Sequence, residues 1–257
     1  MGWIKRFYPG TGDHQLSLRQ VQTVSEGSLS TLLRLQQFAD SSLPIGSAAH
    51  SFGIESLVDA GRLTAEGLEA FLRDYLAEAG KLEAAYCFAS CELARAAPSE
   101  TVIVEWLRWN TELAARKLAR ESREGSAAMG RRFLQLAAHV SGAEFLLRVS
   151  AQIAESSAEV HLAACFGLVA GSLGLDSRLA AAAYLQQSLT TLVGCCQRLL
   201  PLGQTRAQEI LWALKPYILD AVERGRAIPA ARASCFTPLL DVASSRHANL
   251  YSRLFMS

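Results

Sequence analysis

Histidines are the side chains best suited to metal binding or proton transfer, and this chain of 257 residues has five of them. They are His14, His50, His139, His161 and His247. None has a second histidine three or four residues away, so no helix carries a visible pair of imidazole ligands. His161 lies in the most apolar stretch, where a core histidine with satisfied hydrogen bonds is expected. We predict no metal site and no cofactor.

Two carboxylates flank His50 along the chain. Asp40 and Glu55 could act as general acid and base, but nothing in the sequence holds them near a nucleophile. A phosphate-binding GxxxxGK[ST] loop, a GxGxxG after a strand, an HExxH pair and a nucleophile elbow are all missing. We therefore predict no catalytic residue and a protein that is not an enzyme.

The stretch from Ala39 to Gly61 positions His50. Pro44 and Gly46 end one helix near Asp40, because proline lacks a donor and glycine permits a tight turn. Ser47 is suited to cap the next helix, which we expect to run to Gly61 with an apolar stripe facing the core. Such a helix would display His50, Ser51, Phe52 and Glu55 on its first two turns.

Composition excludes several classes of protein. The 25 basic and 24 acidic residues leave a net charge of +1, which gives no footprint for nucleic acid. No stretch approaches the ~20 unbroken apolar residues that span a bilayer. The six cysteines have no zinc spacing and lie mostly in apolar helical patterns. We expect buried thiols, a reducing environment and a cytoplasmic location, with neither nucleic acid nor membrane as partner.

Helical periodicity runs through most of the chain. The clearest amphipathic helix begins at Thr64 and ends before Pro98, and the Gly/Ala-rich segment 160–175 is suited to the centre of a bundle. The β-branched run at 101–104 continues into helical spacing, and the charges at 116–124 predict a solvated helix face. We predict an all-α single-domain bundle of about ten helices over residues 28–257, preceded by a flexible extension at 1–27.

Two further elements are suited to binding a partner. One is Pro201-Leu-Gly-Gln204 with Arg198 just before it. The other is the tail from Arg246 to Ser257, which is rich in the arginine and aromatic residues typical of binding hot spots. The alternative for the tail is a last helix packed on its own core.

Four motifs together resemble the urease accessory protein UreF family. They are Leu-Pro-Ile-Gly-Ser-Ala-Ala-His-Ser-Phe-Gly-Ile-Glu (43–55), Phe-Gly-Leu with Ser-Leu-Gly-Leu (166–175), Pro-Leu-Gly-Gln (201–204) and Ser-Arg-His-Ala-Asn-Leu-Tyr-Ser-Arg-Leu-Phe-Met-Ser (245–257). Their order and spacing are similar to the family from about residue 30 onward. Ala48 and Ala49 depart from it, since relatives usually carry an aromatic residue and then Ser or Thr there.

The resemblance implies an all-α, non-catalytic cytosolic homodimer. Such a protein joins UreD (also called UreH) and the GTPase UreG, bridges them and regulates GTP-dependent nickel delivery to apo-urease. The residues implied for the UreG or dimer face are Pro44, Gly46, His50, Glu55, Arg198, Pro201, Gly203 and Gln204. Those implied for UreD, in a tail that orders on binding, are Arg246, His247, Tyr251, Ser252, Arg253, Leu254 and Phe255.

Other functions stay open at the level of sequence. A metallochaperone would hold nickel itself if His50 or His247 from two subunits converged. An all-α enzyme would keep a perturbed titratable group in a deep apolar pocket. Sequence leaves open the sign of any effect on UreG, the oligomeric state of the free chain and the order and role of residues 1–27.

Overall fold

Residues 26–96 and 99–257 are described by a computed structural model, and these residues contain helices and connections but no strand. The helices are α1 (Glu26–Phe38), α2 (Ile54–Asp59), α3 (Leu68–Tyr75), α4 (Lys81–Ala96), α5 (Glu100–Arg116), α6 (Arg120–Ser141), α7 (Glu144–Ala154), α8 (Leu162–Ser172), α9 (Ser177–Leu199), α10 (Gln204–Ala213), α11 (Lys215–Arg226) and α12 (Pro238–Arg246). The all-α prediction is confirmed. The predicted extension lies outside the described residues, except for its last two, which begin α1.

The Gly/Ala-rich helix α8 lies at the centre of the bundle, as predicted. All its residues from Leu162 to Gly171 are buried. A Cβ added at Gly167 would lie 2.0 Å from the carbonyl oxygen of Cys87, and one at Gly171 would lie 2.1 Å from that of Cys91. Only glycine permits this approach, so the two positions set the contact between α8 and α4.

The predicted long helix after Thr64 begins later and has an irregular middle. Helix α3 begins at Leu68, and the Thr64 hydroxyl accepts from the Gly67 N–H. Leu76–Gly80 then form a π-helical turn that continues directly into α4. A π-turn inserts one residue and rotates the following side chains around the axis. The acidic residue Glu83 lies in the first turn of α4 and is buried.

The charged stretch at 116–124 is only partly the solvated helix face that its sequence predicts. Arg120 and Glu124 form an exposed pair four residues apart, as expected. However, α5 ends at Arg116 and α6 begins at Arg120, and the connection directs Lys117 inward to within 2.6 Å of Glu83. The prediction of a solvated face is wrong for Lys117, because its partner Glu83 is distant in sequence.

The cysteine side chains are placed as the sequence predicts. Five of the six cysteines are buried and Cys235 is half-buried, all with free thiols. Burial raises the pKa of Cys196 to about 12, which makes it an inert thiol. Within residues 26–96 and 99–257, no helix combines the length and the hydropathy needed to cross a bilayer.

Candidate functional site

The prediction that a helix begins at Ser47 is wrong. Ser47–Ala49 form a single 3-10 turn, and α2 begins only at Ile54. Between them, Phe52 has a φ of 52° and Gly53 a φ of 92°, a left-handed pair that stops a helix. A Cβ at Gly53 would lie 2.6 Å from the Ser244 hydroxyl, so this turn is pressed against α12. His50, Ser51 and Glu55 are therefore buried rather than displayed.

The tail returns to this turn across some 200 residues of sequence. The backbone oxygen of Ser257 accepts from the N–H of Phe52 at 3.1 Å and from the Ser51 hydroxyl at 2.8 Å. The Ser257 hydroxyl lies 2.7 Å from Nδ1 of His50, and the Met256 N–H donates to the carbonyl of Ala49 at 2.8 Å. We call the residues joined here the tail–turn cluster: His50, Ser51, Glu55, Glu121, Arg198, His247, Arg253, Phe255 and Ser257.

Glu55 is the main acceptor of the cluster. Its carboxylate accepts from the backbone N–H of Leu254 at 2.6 Å and of Phe255 at 3.2 Å, and from Nε2 of His247 at 2.8 Å. Burial raises the pKa of the Glu55 carboxyl, but these three hydrogen bonds lower it by more, so the pKa lies below its ordinary value. The ionised carboxylate therefore holds the tail in place.

His247 lies between two carboxylates and is completely buried. Its Nε2 is 2.8 Å from Glu55 and its Nδ1 is 2.8 Å from Glu121. Both ring nitrogens of His247 therefore face carboxylate oxygens, which fixes the orientation of the ring. Arg253 lies 3.6 Å from the other oxygen of Glu121. The two carboxylates of the cluster therefore face His247 and Arg253, and the guanidinium of Arg198 lies at the adjacent turn.

Arg198 connects the turn to the tail from α9. Its guanidinium donates to the carbonyl of Ala48 at 2.7 Å and lies 4.2 Å from the ring centroid of Phe255, which is buried. The contact at Ala48 uses the backbone, so it does not depend on the side chain by which this sequence departs from the UreF pattern. Pro201, Gly203 and Gln204 follow closely and are exposed.

These motifs, together with the all-α bundle, match known proteins. A family model described as UreF matches residues 63–215, more than half of the chain. The chain belongs to the UreF family. Proteins named urease accessory protein UreF include those of Bacillus sp. (strain TB-90), 30% identical over 89% of this chain and 100% of the relative, and Nostoc sp., 32% identical over 88% and 95%. That of Actinobacillus pleuropneumoniae is 31% identical over 90% and 100%.

The two sets of residues implied for UreF partners lie side by side in this structure. His50, Glu55 and Arg198, implied for the UreG or dimer face, contact the tail implied for UreD. The implied residues that are exposed are Pro44, Arg198, Pro201, Gly203, Gln204, Arg246, Tyr251, Ser252, Arg253 and Leu254. His50, Glu55, His247 and Phe255 are buried and can only support that surface.

Sequence reasoning missed Glu121 and Ser257. Glu121 lies in the charged stretch that was predicted to be a solvated face, and Lys117 four residues earlier made it resemble one member of an exposed helical pair. The side chain of Ser257 has no distinguishing pattern, and only the fold brings it to His50. Both residues belong to the supporting layer beneath the exposed tail.

His161 is separate from the cluster. It is fully buried, as the sequence predicts, but neither ring nitrogen has a hydrogen-bond partner among residues 26–96 and 99–257, so the expectation of satisfied bonds is wrong. Burial, together with the charges of Lys117 and Arg123, lowers its pKa to about 3. The ring is therefore neutral in the folded protein.

Acid is expected to release the tail. The pKa of His50 is lowered, first by burial and then by the charge of Arg132, so docking weakens as the pH falls below about 6.5. The pKa of Glu55 is also lowered, so the stabilisation of the docked tail by the Glu55 carboxylate is lost as the pH falls below about 4.5. The protection factors of the amides of residues 250–257, which are exchange rates corrected for the intrinsic effect of pH, should fall over this range. Unchanged protection from pH 7 to pH 4 would contradict this assignment.

Proposed function

We propose that this UreF-family chain is a urease maturation factor that acts by binding alone. It would bridge a UreD/UreH protein and a UreG GTPase, and regulate GTP-dependent nickel delivery to apo-urease. We further propose that it is cytoplasmic, homodimeric and not an enzyme. The observation that supports this is the tail–turn cluster, because it makes one continuous surface from the two sets of residues that family resemblance connects with two different partners.

Burial and exposure within the tail support a binding role. His247, Phe255 and Ser257 are buried and fix the path of the backbone. Tyr251, Leu254 and Met256 point away from the bundle and are exposed, Tyr251 completely. Holding exposed apolar side chains on an ordered backbone reduces the entropy lost on association. The outer face of the tail is thus suited to a preformed partner surface, for which UreD is the candidate.

A homodimer would double this surface. With two-fold symmetry, each protomer would contribute one tail–turn cluster and one exposed Pro201–Gln204 element. Two copies of a GTPase could then be held in equivalent positions. Regulation would follow from the orientation of the two GTPase chains, with no catalytic group supplied by this chain.

The geometry disfavours the metallochaperone alternative. Both nitrogens of His247 are already bonded to carboxylates at 2.8 Å, so nickel ligation by this ring would require breaking two charge-assisted hydrogen bonds. Nδ1 of His50 is likewise paired with Ser257. Equilibrium dialysis of the purified chain against Ni²⁺ tests this directly, and stoichiometric binding that depends on His50 and His247 would favour the alternative.

The proposal as a whole is tested by reconstitution. The purified chain is mixed with UreD, then with UreG, and the mixtures are analysed by size-exclusion chromatography with light scattering. We expect a complex with two copies of each chain. A chain that elutes alone under both conditions would overturn the bridging role and leave only the family assignment.

Arg198 is expected to brace the tail and not to act as an arginine finger. Its guanidinium is engaged by Ala48 and Phe255, so Arg198→Ala should loosen the tail and weaken assembly, while GTP hydrolysis by the saturated complex stays unchanged. Loss of a finger would instead lower the rate at saturation by about 10³-fold. Arg206→Ala, in the exposed part of α10, is the matched control. A rate at saturation that collapses only in Arg198→Ala would assign the finger role.

A further inference from the structure

A cavity of about 110 Å³ lies beneath α12 and is bounded by α4, α6 and α9. Part of its wall is apolar, formed by Leu82, Met129, Leu162, Leu192 and Leu240. The π-turn before α4 also reaches it through Ala79. A cavity of about 150 Å³ is known to hold benzene, so this one is sized for a single small ring.

Polar groups reach the same cavity from one face of α9. Tyr184, Gln187, Ser188 and Thr191 follow at helical spacing and all line it. Gln187 is 4% exposed, and its Nε2 donates to the backbone oxygen of Asp40 at 3.0 Å. Because that carbonyl only accepts, the orientation of the amide is fixed, and Oε1 of Gln187 has no partner among the described residues. A buried acceptor without a donor favours a bound molecule that supplies one.

The charges that line the cavity cancel. Glu83 accepts from Nζ of Lys117 at 2.6 Å and from the Tyr184 hydroxyl at 2.8 Å. Arg116 donates to the backbone oxygens of Ala231 and Ala233, and Asp241 accepts from Thr237. With two acidic and two basic side chains, the wall offers no net charge for an ion. In the described ranges, no three His, Cys, Asp or Glu residues are grouped as metal ligands.

We propose that this cavity binds a small neutral molecule with an apolar body about the size of one ring and a hydroxyl group that donates a hydrogen bond. The apolar wall takes the body, while the α9 face and Glu83 offer acceptors for the hydroxyl. Leu240, Asp241 and Ser244 of α12 form part of the wall, so a bound molecule steadies α12. None of the nine residues of the tail–turn cluster lines the cavity, although Phe52 of the adjoining turn does, and the proposal does not depend on the partners proposed above.

The test is a fluorine NMR titration of the full chain with 4-fluorophenol. Two matched probes are 4-fluorotoluene, which lacks the donor, and 4-fluorobenzoate, which is charged. We expect saturable binding of 4-fluorophenol, about ten-fold tighter than 4-fluorotoluene because one hydrogen bond is lost, and no binding of 4-fluorobenzoate. Amide exchange of residues 238–246 should slow in the presence of 4-fluorophenol.

A cavity-filling variant locates the site. Ser188→Leu places a larger side chain at the wall and should abolish binding. Ser172→Leu is the control, because Ser172 makes the same kind of hydrogen bond to a carbonyl of its own helix and lies outside the cavity. Equal binding by Ser188→Leu and wild type would overturn the assignment. So would the failure of wild type to bind 4-fluorophenol, or equal affinity for 4-fluorotoluene.

Discussion

Glu55→Ala is expected to release the tail and to destabilise the fold by about 3 kcal/mol, because it removes an acceptor shared by several buried donors. His247, which is fully buried, keeps Glu121 at Nδ1 but loses its partner at Nε2. The backbone N–H groups of Leu254 and Phe255 lose their acceptor at the same time. Urea denaturation measures the stability, and hydrogen exchange of residues 250–257 reports the release.

The control for this variant is Glu124→Ala. Glu124 is in the same charged stretch as Glu121, but its contact with Arg120 is 3.7 Å long and exposed, so the expected change is within about 0.5 kcal/mol. Release of the tail without loss of stability would mean that Glu55 only positions the tail. Full protection of residues 250–257 in Glu55→Ala would show that the tail is held by Phe255 and Ser257 instead.

Most of the fold could be predicted from local patterns. Helix α8 was evident because its small and apolar residues have no charged neighbour, and glycine at 167 and 171 suits close packing. The β-branched run at 101–104 was correctly placed in a helix, α5, since apolar residues continue at intervals of three and four. Asp176 caps α9, with its carboxylate accepting from two backbone N–H groups.

The cluster could be predicted only in part, because its contacts join residues far apart in the chain. Pro44 and Gly46 correctly marked a break, but the left-handed pair at 52–53 lies against α12, which is distant in sequence. Likewise, Glu55 and Glu121 both contact one histidine that is more than 120 residues away in sequence. Local propensity contains no information about such partners, and resemblance to the UreF family supplied the residues but not their pairing.

The double variant Tyr251→Ala/Leu254→Ala is expected to weaken UreD binding by about 100-fold while leaving the fold intact. Both side chains are exposed, 107% and 54% respectively, so removing them takes little from the core, and the change in stability should stay within about 0.5 kcal/mol. An exposed tyrosine on an ordered backbone is a typical binding hot spot, and the neighbouring leucine adds apolar contact area, so the pair is expected to contribute about 3 kcal/mol. Calorimetric titration with UreD measures the loss.

Tyr217→Ala/Leu147→Ala provides the control, with an exposed tyrosine (41%) on α11 and an exposed leucine (48%) on α7. It should bind UreD as wild type does. If both double variants bind normally, UreD does not use the outer face of the tail. If the tail variant loses stability as well as binding, the side chains pack on the bundle and the tail is a part of the core. Only a loss of affinity confined to Tyr251 and Leu254, with melting unchanged, supports the tail as a preformed binding surface.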